Sequence, residues 1–137
     1  MKSSNFLLKD TLLFVAALVL GMSVNMMLIY SGMYLIPLPD GVDVTTRDGL
    51  RSALPLMGCQ HFIFPFLAHA IGTLVGAYLV TRWVSTRKQS RAYMIGAIFF
   101  LGGLMNIIGM PSLLWFSILD LSVAYFPMAW LGSRGAN

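Results

Sequence analysis

Two ionisable side chains, His69 and Asp120, stand inside apolar runs that otherwise carry no charge, and their residue types are the ones that could do chemistry. From Phe62 to Thr81 there is no Asp, Glu, Lys or Arg, and from Ala92 to Leu131 Asp120 is the only one. An unpaired polar group in hydrocarbon costs several kcal/mol, so both are expected to face protein or trapped water rather than lipid. An imidazole beside a carboxylate can relay a proton or hold a cation. His69 lies about seven residues from Phe62 and Asp120 about eight from Ser112, which puts both roughly 10–12 Å below the outer helix ends if the two runs point the same way. Asn25, Asn106, Thr73 and Tyr125 are the polar residues expected to join that layer as an ion or substrate pathway. The structural alternative is that Asp120 stays protonated or paired and pins two helices through polar contacts of about 1 kcal/mol each.

Other chemistries find less support. His61 and His69, eight residues apart on one helix, are about 12 Å apart along its axis and cannot share a metal. Cys59 is the lone cysteine, which excludes an intrachain disulfide and any multi-cysteine cluster. No serine or cysteine is flanked by an evident base, and no metal or cofactor is expected. The net charge of +4 is distributed as a membrane-topology signal rather than a nucleic-acid surface.

The elements that must position these groups are membrane spans. The chain has 137 residues, 58% hydrophobic and 10% charged, against about 25% charged in a soluble domain. No room remains for a separate soluble catalytic domain. The apolar runs predict four spans, at about 12–38, 62–83, 93–110 and 112–131, in an all-α transmembrane bundle forming one membrane domain. The first run resembles a secretory signal at its start but continues to Pro39, too long for a signal core, and is expected to stay uncleaved. Pro65 is expected to kink the outer end of the second span. Pro111, after Gly109 and Met110, separates the third span from the fourth by a tight turn.

An outer loop at 40–60 holds three Asp and two Arg, with a short interfacial helix expected between Asp43 and Leu54. The loop at 84–91 carries Arg87, Lys88 and Arg91 beside Arg82 and no acid. The positive-inside rule therefore predicts both termini in the cytoplasm. Gly21, Gly72, Gly76, Gly102 and Gly103 are the small residues expected to pack helices, and Gly72 to Gly76 is a GxxxG spacing. The Gly21-x-x-x-Asn25 spacing recurs as Gly102-x-x-x-Asn106, and aligning the second span with the fourth sets His69 opposite Asp120, which suggests a duplicated helical hairpin. In an up-down-up-down bundle the second and fourth helices would be diagonal, both facing the centre.

The stretches Ile36–Thr45 and His61–Ala70, with Leu119-Asp120-Leu121 and Pro127-Met128-Ala129, resemble a family of small bacterial four-span membrane proteins. The resemblance implies a bacterial inner-membrane location and no particular activity. Three functions are open at this stage. One is a small proton- or cation-coupled transporter or channel, and another an accessory subunit of a larger membrane complex. The third is a membrane-embedded enzyme or quinone binder. Partners beyond the bilayer are expected to be further copies of the chain or a membrane-complex subunit.

Overall fold

The structure, a computed structural model, describes residues 2–136. The described residues form helices and turns with no strand, and four helical stretches are long and apolar enough to cross a membrane. Helix α1 covers Lys2–Leu35 and α2, in the outer loop, Arg47–Ala53. Helices α3 and α4 cover Ile63–Trp83 and Lys88–Gly109. The last span is two helices, α5 at Leu114–Val123 and α6 at Phe126–Gly135.

Helix α3 is the hub. It packs along α1 on one side and against α4 and α6 on the other, and α4 also touches α6. This corrects the expectation of a square bundle with the second and fourth spans diagonal, because α6 lies directly on α3. Small residues make these contacts close, as expected where lipid tails already match an apolar side chain and backbone proximity is what drives association. A Cβ on Gly21 would stand 2.7 Å from the Gly72 carbonyl oxygen, and one on Gly132 would meet the Leu74 carbonyl and the Tyr78 amide nitrogen. On α1 the buried positions Asp10, Ala17, Gly21 and Gly32 follow a helical stripe, while Val15, Val19, Met22 and Met26 point outward.

Three expectations about helix bounds change. The first helix begins at Lys2 instead of 12, and at 34 residues is about 51 Å long, well beyond a hydrocarbon core of about 30 Å. The added length carries a polar anchor. The Asp10 carboxylate is buried and accepts hydrogen bonds from the Ser85 and Thr86 amides at 3.0 and 3.1 Å and from the Thr86 hydroxyl at 2.7 Å. Arg91 adds an ion pair at 3.4 Å. The basic loop between α3 and α4 is thereby clasped to α1, and Arg87 turns through it with a positive φ of 49°.

Pro65 does not kink α3. It is the third residue of the helix, where the missing amide proton would have had no intrahelical acceptor. The fourth span is not continuous, because Pro127 has no N–H to offer the Val123 carbonyl, and the chain breaks at Ala124 and Tyr125. Glycines of the two proposed hairpins also differ in surroundings. Gly21 sits on the backbone of α3, whereas Gly102 faces open space and packs nothing.

Candidate functional site

The break between α5 and α6 is what builds the site. Asp120, in the last turn of α5, and Tyr125, in the break itself, are both buried. Non-helical backbone at membrane depth is tolerated only where protein or a cavity surrounds it. Gly103 of α4 makes the room: a Cβ there would occupy the place of the Tyr125 hydroxyl. Opposite, α3 presents His69 six residues into its length, about 9 Å below its first residue.

The three side chains close a network. His69 Nδ1 lies 2.9 Å from each carboxylate oxygen of Asp120. The Tyr125 hydroxyl donates to Asp120 Oδ2 at 2.7 Å, and its oxygen is 3.1 Å from His69 Nδ1. The imidazole and phenol rings stack with centroids 5.7 Å apart. An ionised carboxylate has only acceptors to offer, so Nδ1 carries its proton and the neutral imidazole turns a lone pair outward at Nε2. Among the described residues Nε2 has no hydrogen-bond partner.

That nitrogen belongs to a ring lining two cavities. One, of about 350 Å³, has His69 and Asp120 at its inner end and Ile29, Phe64, Ile107 and Phe116 along its walls. Val44, Leu50, Leu54 and Met57 of the outer loop line its other end. The other cavity, between α1 and α4, brings in Asn25 and Phe99. Deeper along α3 the helices close. Thr73, Ala77 and Val80 are fully buried, and Gly76 and Phe99 are packed beside Ile95 and Gly72.

The outer loop is held by its own polar contacts. Thr46 caps α2 by accepting from the Gly49 amide at 3.1 Å. Asp43 Oδ1 accepts from the Thr45 hydroxyl at 2.6 Å and the Thr45 amide at 2.8 Å, which holds its carboxyl below the usual aspartate range. His61 lines the outer-loop cavity, with Nδ1 3.1 Å from the Gly58 carbonyl and Nε2 3.4 Å from that of Pro37.

Of the residues expected in the polar layer, the structure brings His69, Asp120 and Tyr125 into one network. Thr73 is one turn deeper and donates to the His69 carbonyl at 2.7 Å, so it braces the helix rather than reaching the carboxylate. Asn25 lines the cavity between α1 and α4 with its Oδ1 buried and unpartnered, and Asn106 is exposed; neither is hydrogen-bonded to the pair. Both stand on helices α1 and α4, across the cavities from the carboxylate. Sequence reasoning missed the clasp by Asp10 and the seat that Gly103 provides. Pro127, two residues past Tyr125, was the available signal for the break. Among the described residues no group of three or more His, Cys, Asp or Glu is placed to hold a metal. Comparisons with family models, curated proteins and solved structures find no match, so the chemistry of this site alone carries the functional argument.

Proposed function

We propose that this small integral membrane protein is a proton-linked transporter in which His69 takes up and releases the coupling proton. The observation that carries it is the discontinuous span. Asp120 stands just before a helix break at membrane depth and Tyr125 within it, and their network ends on an imidazole facing a cavity that is closed on its deeper side. Broken helices beside ionisable groups near the midplane are a recurring way to build coupled transport sites. Asp120 keeps Nδ1 protonated and offsets the charge when Nε2 gains a proton, so the protonated imidazole is never an unpaired cation in the bilayer.

The basic loop containing Arg87, Lys88 and Arg91 favours an orientation with both termini in the cytoplasm of a bacterial inner membrane. The cavity beneath the outer loop then opens outward. A one-sided cavity is half of an alternating cycle. Several copies of the chain would assemble around the sites through exposed faces of α1 and α4.

The test is proton movement into liposomes holding the purified protein, recorded with an internal pH-sensitive dye as solutes are added outside. Parent protein is compared with Asp120→Asn and His69→Ala at matched insertion. Loss of flux in both variants is expected. A parent without flux under any gradient, with variants that are merely less stable, would shift the assignment to a structural subunit whose polar network only locks helices.

A further inference from the structure

We propose that the outer-loop cavity takes a lipophilic organic ammonium, which competes with the coupling proton for His69. This rests on the proton-linked reading and names its substrate class. The polar groups at the inner end include unpartnered acceptors. His69 Nε2 offers a lone pair, and Asn25 in the adjoining cavity has a buried Oδ1 without a partner. The Asp120 carboxylate already has its two donors, Nδ1 and the Tyr125 hydroxyl, so its negative charge is oriented but not neutralised while the imidazole is neutral. A ligand with N–H donors and one positive charge completes both the hydrogen bonding and the charge.

The walls agree with that choice. Among the described residues no Lys or Arg lines the cavity, so an anion would find a carboxylate and no countercharge. Phe62, Phe64 and Phe116 offer aromatic faces, which attract an organic cation and exclude a hydrated inorganic one. A volume of about 350 Å³ is at the lower end of small-molecule pockets, a size for one or two rings.

Competition follows from charge conservation. With Nε2 protonated, the imidazolium and carboxylate sum to zero, and a second cation is repelled. When the proton leaves Nε2 for water, the pair carries a single negative charge and the ammonium N–H donates to Nε2 in its place. One positive charge enters as one departs, which is exchange rather than cotransport. The groups facing His69 leave this proton control to the imidazole: Asp120 and Tyr125 come from α5 and the break, Gly103 and Asn106 from α4, Asn25 and Ile29 from α1, and His61 from the outer turn at the other end of the cavity.

The experiment is a binding titration of the intact protein in nanodiscs with naphthylmethylammonium, naphthylmethanol and naphthoate, matched in shape and differing in charge. It is run from about pH 8 to about pH 5, the range over which an ordinary imidazole titrates, with nitrogen NMR following His69. The expected result is saturable binding of the ammonium alone, weakened about tenfold or more at the acid end, with proton release on binding and about tenfold or greater loss in Asp120→Asn. If that variant folds poorly, the pH dependence of the parent still decides. Preferred binding of the alcohol or naphthoate through His69, or no binding to a His69 that titrates, overturns the substrate class and leaves the proton-linked reading standing. No binding and a His69 that never titrates overturns both.

Discussion

His69 Nδ1 is equidistant, at 2.9 Å, from both carboxylate oxygens of Asp120, a residue 51 positions further along the chain. The pair therefore ties α3 to α5 as well as furnishing the proposed site. Removing one partner strands the other. His69→Leu leaves Asp120 with a single donor and is expected to cost about 3–5 kcal/mol, as when a buried pair is broken from one side. The double variant His69→Leu/Asp120→Leu should recover much of that loss. Reversible unfolding in mixed micelles measures both. A coupling no greater than the roughly 0.6 kcal/mol average of intramembrane hydrogen bonds would mean the pair is no more than a helix lock.

Two adjacent glycines on α4 make opposite predictions. A methyl on Gly103 collides with the Tyr125 hydroxyl, whereas a methyl on Gly102 meets nothing. Gly103→Ala should cost about 1–3 kcal/mol by overpacking and push the phenol off Asp120. Gly102→Ala should stay within about 0.5 kcal/mol. Equal effects in the same unfolding assay would contradict the seat assigned to Tyr125.

At the basic end, Asp10 holds the Ser85 and Thr86 amides that no helix satisfies. Asp10→Ala is expected to release the loop, seen as faster hydrogen exchange at Thr86 and neighbouring amides and as new protease cleavage beside Arg87. Arg91→Ala should give a smaller change, because it removes the longer ion pair and leaves all three short hydrogen bonds. Identical exchange in parent and Asp10→Ala would show that the loop is held by packing instead.

Asp43 provides a pH test outside the membrane. The Thr45 hydroxyl and amide lower its folded pKa below the ordinary value of 3.8, so its contribution to the loop is complete above that value and is lost as pH falls through the lower folded one. Exchange at Thr45 and Gly49 should thus be flat from neutral pH down to about 4 and rise below it, once the intrinsic pH dependence of exchange is divided out. Asp43→Asn should abolish the rise. A transition centred near neutrality would place the control on a group other than this carboxylate.

Composition and unbroken apolar runs were enough to establish four spans, because a bilayer core demands about twenty apolar residues per crossing whatever their neighbours. They also singled out His69 and Asp120, since a charge inside such a run is conspicuous without any knowledge of packing. Tertiary structure decided the rest. Which polar residues join the pair depends on helix rotation, and spacing along one helix does not say which face meets which neighbour: Tyr125 is in, Asn25 and Asn106 are out, and Gly103 packs where Gly102 does not. The clasp by Asp10 joins groups 75 residues apart, and the break at Tyr125 persists because Gly103 and Asp120 receive the side chain that the break redirects. Local sequence determines what each segment can bury; only the assembled helices determine against what.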